Sequence, residues 1–194
     1  MKLLLDTCVL YPTVMREMLL GAAQLGHFTP LWSERILGEW ARAAVKIGPE
    51  GPAQAQAEIA LLRAAWPKSD VAVKPGVAAR LWLPDENDIH VLAAAVSGHA
   101  DAIVTMNIKD FPRHLLAEEG LGRQGPDEVL YGLWLQDRAG IEAVGQRVLA
   151  EANRLAGNAR SRKTQTGKIP SEQIWEMRPL LKKARLPRIA KALG

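Results

Sequence analysis

The sequence predicts an α/β fold, a parallel sheet flanked by helices, and three observations carry that expectation. Residues 3–5 and 102–105 are continuous, mostly apolar runs. Continuous rather than alternating hydrophobicity marks a strand covered on both faces, as in a parallel sheet. Strand-like and helix-like stretches follow one another along the chain, the order that right-handed crossovers produce. Asp6 follows the first run, and Asn107 and Asp110 follow the second. In open α/β sheets that edge is where ligands sit.

Each element has its own signal. Residues 3–5 form the first strand. Thr7 and Cys8 lead into a helix over residues 13–20, with Gly21 as its stop. Residues 28–32 read as a short strand weakened by Pro30. Ser33 is a good N-cap for a helix running to about Ile47. On that helix Ile36, Leu37, Trp40, Ala41 and Ala44 form the apolar face, and Arg35, Glu39, Arg42 and Lys46 lie largely opposite. Periodicity therefore puts Glu39 near the edge of the polar face. Residues 53–65 are helical, residues 71–73 are a third candidate strand, and residues 77–82 a short helix.

The stretch 83–112 organises the chain. Asp85, Glu86 and Asp88 open a helix that residues 90–97 carry and Gly98 and His99 break. Asp88 shares its face with Val91 and Leu92, three and four residues on, which holds its carboxylate near the core. Carboxylates at a helix start are also favoured by the exposed amides, so capping is the plain role for Asp85 and Asp88. Beyond Pro112 the chain winds through a Gly-containing segment to Pro126. Residues 128–137 look helical, and Ile141, Val144, Val148, Ala152 and Leu155 make a helical stripe. Residues 158–170 have the composition of a mobile basic linker. Ser171 caps a last helical region that Pro179 and Pro187 divide. Two parts are expected: a domain over residues 1–135 and a helical, basic extension over 136–194.

Composition excludes several classes. The chain has 194 residues, 48% of them hydrophobic and 24% charged, a normal balance for a soluble domain. No apolar run approaches the roughly 20 residues needed to cross a membrane. The start MKLLLD reaches an acid too early for a secretory leader. The single cysteine, Cys8, excludes an internal disulfide framework and fits a reducing, cytoplasmic setting. His27, His90, His99 and His114 show no zinc-like spacing, and no glycine-rich phosphate loop is present. Charge is uneven. From residue 157 onward ten Lys or Arg face two Glu, a net +8, which leaves −4 for the rest of a chain whose total is +4. A basic tail on a mildly acidic body fits a polyanion partner or, equally, a solvated helical surface.

Asp6, Asp88, Asn107 and Asp110 are the chemistry-bearing candidates. If they converge, carboxylates crowd one cleft and a cation must neutralise them. An all-oxygen set without a His or Cys group selects a hard cation, Mg²⁺ or Mn²⁺, over Zn²⁺. Such an ion binds substrate phosphates and activates water. No side-chain nucleophile is then needed, and Cys8 is a bystander.

The segments MKLLLDTCVL, SERILGEW, DENDIHVLAAA and DAIVTMNIKDFP resemble the successive motifs of PIN-domain nucleases, including the VapC-like ribonuclease toxins of toxin–antitoxin pairs. The resemblance spans about residues 1–135. It implies a parallel α/β sandwich and metal-dependent cleavage of RNA. By motif match Asp6, Glu39, Asp88 and Asp110 are the catalytic acids, with Asp6, Asp88 and Asp110 as metal ligands. Thr7 and Asn107 are supporting residues. Glu34, beside Leu37 and Ala41, competes with Glu39 for the site. The resemblance further implies an RNA substrate and an antitoxin protein, with a homodimer left open and no membrane partner. Arg160, Arg162, Lys163, Lys182, Lys183 and Arg185 are the candidate nucleic-acid-binding cations of the extension. Two other classes stay open. One is a non-catalytic RNA-binding or regulatory module of the same fold. The other is phosphoryl transfer through Asp6 as an aspartyl nucleophile, against which stands Cys8, where such enzymes often carry a second Asp.

Overall fold

The computed structural model describes residues 1–164 and 174–194, and the side chains of all of these except 158–164. The described chain forms two compact units, Met1–Pro12 with Gly26–Pro126, and Thr13–Leu25 with Asp127–Gly194.

The first unit is built on a four-stranded, all-parallel sheet in the order β2-β1-β3-β4. Strand β1 is Lys2–Leu5, followed by the single-turn helix α1, Thr7–Leu10. Helix α2, Thr13–Gln24, belongs to the second unit. Strand β2 is Thr29–Leu31. It lies at the sheet margin, pairing Pro30 with Leu3 and Leu31 with Leu4. A proline, which lacks the ladder donor, is tolerated at such an edge. Ser33 accepts the amide of Ile36 and caps α3, Glu34–Ala43, which tightens into a 3₁₀ turn over Ala44–Ile47. Helix α4 is Gly51–Ala65 and α5 is Val77–Arg80. A 3₁₀ turn, Glu86–Asp88, runs into α6, Ile89–Ser97. Strand β3 is Ala102–Val104, pairing Ile103 with Leu4 on one side and, on the other, with Arg123 of β4, Gly122–Gln124. Helix α7, Arg113–Glu118, connects them.

Leu3, Leu4, Leu5, Ile103 and Val104 are fully buried, as continuous apolar strands require. The chain leaves β1 for β2 on one side and returns to β3 on the other. The carboxyl ends of β1 and β3 therefore flank a switch point, where the two crossovers diverge and leave a crevice.

The second unit is helical. It contains α2, then α8, Pro126–Gln136, and α9, Arg138–Thr164. It ends in α10, Met177–Lys183, and α11, Pro187–Leu193. Met18, Leu19, Ile141, Val144, Leu181 and Ile189 are buried in it. Asp127 accepts the amides of Arg188 and Ile189 at 2.9 and 3.0 Å, closing the start of α11 onto α8. Asn153 makes a two-way pair with the backbone of Trp175, fastening the segment before α10 to α9.

Several local expectations need correction. Residues 71–73 are not a strand; the chain meets the sheet there only through one bridge, Asp70 to Trp32. The segment after Pro112 holds a helix and a fourth strand instead of a plain loop. Gly21 does not stop α2 but lies inside it, where an added Cβ would stand 2.5 Å from Cγ1 of Val144. Gly26, with φ +86°, takes the left-handed position beyond the helix end. Pro179 sits in the first turn of α10, where no helical donor is lost, so the break falls at Arg185, φ +60°. Helix α9 continues through residues 158–164, part of the stretch expected as linker. Ser171 and the rest of that stretch lie outside the described residues, as do the side chains of Arg160, Arg162 and Lys163.

Candidate metal centre

The loop after β1 starts at Asp6. Its backbone amide still bonds Val104, continuing the β1–β3 ladder by one residue, and its carbonyl receives the first amides of α1. This fixes the Asp6 carboxylate at the crevice, 7% exposed. Thr105, the first residue past β3, donates its hydroxyl to Oδ2 of Asp6 at 2.7 Å. The Cys8 thiol donates to the same oxygen at 3.0 Å. Thr105 also accepts the amide of Asn107 at 3.0 Å, and Nδ2 of Asn107 donates to Oδ2 of Asp88 at 3.0 Å. One run of hydrogen bonds thus links the ends of β1 and β3 to the start of α6.

Asp85, Asp88 and Asp110 each offer a carboxylate oxygen within 4.8 Å of the others, and each is half-buried. Asp85 also performs the capping its sequence position suggested, taking the backbone and side-chain N–H of Asn87 at 2.9 Å. Burial pushes the Asp88 carboxyl up to about 6, and the negative charges of Asp6, Asp85, Asp110 and Glu39 push it the same way. Five acids drawn from four separate segments therefore act on one locus.

Glu39 stands on α3 at the edge of this group. Its Oε2 accepts the Thr7 hydroxyl at 3.1 Å, and that hydroxyl also lies 3.1 Å from the carbonyl of Ile36. Arg35 and Arg42 approach Oε1 at 3.6 and 3.8 Å. His90, buried on α6, brings Nε2 to 2.8 Å from the same oxygen but off the line of a well-directed hydrogen bond, and its Nδ1 has no partner among the described residues. Burial holds the imidazole below its ordinary pKa, outweighing the pull of Glu39. Glu34 points elsewhere, pairing with Arg63 on α4. Of the two glutamates, it is Glu39 whose charge reaches Asp88.

The sequence candidates Asp6, Glu39, Asp88, Asn107 and Asp110 are thus brought together. Thr7 joins them through Glu39, whereas Asp6 takes its hydrogen bonds from Thr105 and Cys8. The sequence does not single out Thr105 or His90, and for Asp85, a neighbour of the motif acids, it favours capping. The strand-end position of Thr105 and the i+2 spacing of His90 from Asp88 were the available signals. Burial and the adjacent Asp6 push the Cys8 thiol up to about 12, which disfavours the thiolate that a nucleophile needs. Lys182, Lys183 and Arg185 are exposed on the second unit, Lys183 lying 4.7 Å over the ring of Trp175.

The donor set fits a hard divalent cation. The ligand atoms that converge are carboxylate oxygens, which Mg²⁺ and Mn²⁺ prefer. Burial first, and then the four neighbouring carboxylates, disfavour the charged form of Asp88, and a bound cation would relieve both. Among curated proteins and among solved structures, nothing matches this chain. The sequence profile of the PIN domain matches residues 2–109, more than half of the chain, and takes in β1, β2, β3 and every acid of the cluster except Asp110. PIN domains are generally nucleases that use divalent metal ions. With a parallel sheet, a switch-point crevice and an acidic centre in that span, the chain belongs to the PIN-domain family.

Proposed function

We propose that the protein is a metal-dependent endoribonuclease, the toxin of a toxin–antitoxin pair. Asp6, Glu39, Asp88 and Asp110 are its catalytic acids. Asp6, Asp88 and Asp110 hold Mg²⁺ or Mn²⁺, and Asp85 adds a fourth carboxylate to the ion's surroundings. The observation that carries the reading is the meeting of Asp85, Asp88 and Asp110 within 4.8 Å, with Asp6 and Glu39 acting on the same point. A hard divalent cation bound there supplies charge neutralisation at a phosphodiester and acidifies water.

The remaining work belongs to side chains of this protein. Thr105 and Cys8 hold the Asp6 carboxylate in one rotamer. Asn107 does the same for Asp88. Thr7, Arg35 and Arg42 hold Glu39 at the margin of the acidic group, where it can accept a proton from attacking water. The basic tail supports RNA as the polyanion, and the toxin role and antitoxin partner rest on the motif resemblance.

Turnover of a single-stranded RNA is expected with Mg²⁺ or Mn²⁺ and not with EDTA. Asp88→Asn and Asp110→Asn should each lower the rate by at least roughly a hundredfold, the scale of removing a group that stabilises developing charge. Cleavage that survives EDTA and both substitutions sinks the mechanism. RNA binding without cleavage in any divalent ion would leave a binding module in its place. Induced expression should arrest bacterial growth for the wild type and not for Asp88→Asn; unimpeded growth with the active enzyme removes the toxin role.

A further inference from the structure

The second unit carries a cleft of about 410 Å³ between α8 and α11, lined by Tyr131, Trp134, Arg188, Lys191 and Ala192. The rings of Tyr131 and Trp134 stack with centroids 5.7 Å apart and an interplanar angle of 27°. The guanidinium of Arg188 lies 5.5 Å over Tyr131, and that of Arg138 lies 4.8 Å over Trp134. Two aromatic rings and two planar cations therefore form a row, with Lys191 beside it. Asp127 is engaged on the first amides of α11, Asp137 on the amide of Gly140 at 2.9 Å, and Glu142 on the indole N–H of Trp134 at 3.3 Å. The charged side chains of the lining itself are both cations.

We propose that this cleft binds one unpaired nucleotide of single-stranded RNA, its base layered on the aromatic–guanidinium row and its phosphate on Arg188 and Lys191. The choice of RNA rests on the nuclease reading above; the site itself lies outside the acidic centre and uses none of its residues. A nucleobase is planar and polarisable, and it stacks equally on an aromatic ring or a guanidinium. A cleft of this volume suits one nucleotide and is too small for a duplex. An acidic peptide would satisfy the cations but has no use for stacked rings. Base stacking is tolerant of sequence, so the cleft would grip the strand without reading it.

The test is equilibrium binding in EDTA, where nothing is cut. The probes are a fluorescein-labelled, non-self-complementary RNA 12-mer, its duplex and polyglutamate. Trp134→Ala should weaken the single strand by roughly tenfold, within the range measured for losing one stacked base. It should leave the duplex unchanged. Trp134→Phe, which keeps a ring, should restore most of the affinity. Arg188→Gln and Lys191→Gln, on exposed side chains, should each lower the slope of log affinity against log salt by about 0.7. Single-strand affinity unchanged in Trp134→Ala and Tyr131→Ala overturns the proposal, as does polyglutamate displacing the RNA from the wild type but not from Arg188→Gln. If Trp134→Ala fails to fold, the two cation variants decide: wild-type affinity and slope in both overturns it. Failure here is separable from failure of the nuclease reading, because binding is read without metal and cleavage is read with it.

Discussion

Asp88 sits where five carboxylates meet, and its protonation is set by that company. Its folded pKa, about 6, lies above the ordinary 3.8. Between these two values the folded chain keeps a proton that the unfolded chain has lost. Stability of the metal-free protein therefore falls as pH rises from 3.8 through 6, and stays lowered above that window. Asp88→Asn removes the penalty. At pH 7 in EDTA it should stabilise the protein by about 1 kcal/mol, a figure discounted because the half-buried group is partly screened by solvent. Below pH 4 the gain should vanish. Added Mn²⁺ should raise the melting temperature of the wild type and not of the variant. Thermal melts with and without the ion check all three points. The residue scale also shows where sequence reasoning reached its limit. Asp6, Asp88 and Asp110 announced themselves by type and position. Thr105 did not, because a hydroxyl at a strand end looks like any other until the carboxylate it faces, 99 residues away, is in place.

At the scale of elements, Gly21 is the clearest case of packing overruling a local rule. A glycine inside a helix reads as a stop. Here it lets α2 approach Val144 of α9 more closely than any side chain permits. Gly21→Ala gains up to about 1 kcal/mol of helix propensity but drives a methyl into a stiff, β-branched neighbour. The net effect should be a loss of about 1 to 2 kcal/mol, recovered in part by Val144→Ala, as a double-mutant cycle in urea would show. A gain in stability from Gly21→Ala alone would mean that the two helices are free to separate. The same contrast governs the strands. Strands β1 and β3 were legible because full burial leaves an unbroken apolar run. Strand β4 was not, since Gly-Arg-Gln has no apolar residue and owes its conformation to pairing with β3. Residues 71–73 erred the other way, apolar enough to suggest a strand but offered only one bridge at the β2 margin.

For the whole molecule, charge is segregated along the chain, with +8 over residues 157–194 and −4 before them. On the proposed nuclease reading, the acidic centre would repel RNA until an ion is bound, so basic side chains elsewhere would supply the first attraction. Replacing Lys182, Lys183 and Arg185 with Gln should weaken RNA binding uniformly across sequences. It should also reduce the slope of log affinity against log salt by about 2, at roughly 0.7 per phosphate contact on a single strand. A slope that does not change assigns these three cations to the solvated surface.

The margins of the sheet set a condition on any protein companion. Strand β2 has three residues, one of them a proline, and the chain closes its far end through Asp70 and Trp32. Strand β4 at the other margin is equally short. Neither border offers an open ladder long enough to template an added strand, and both discourage the edge-to-edge growth that seeds aggregates. A companion chain must therefore engage this protein through side chains on helices or loops, because extending the sheet is closed to it.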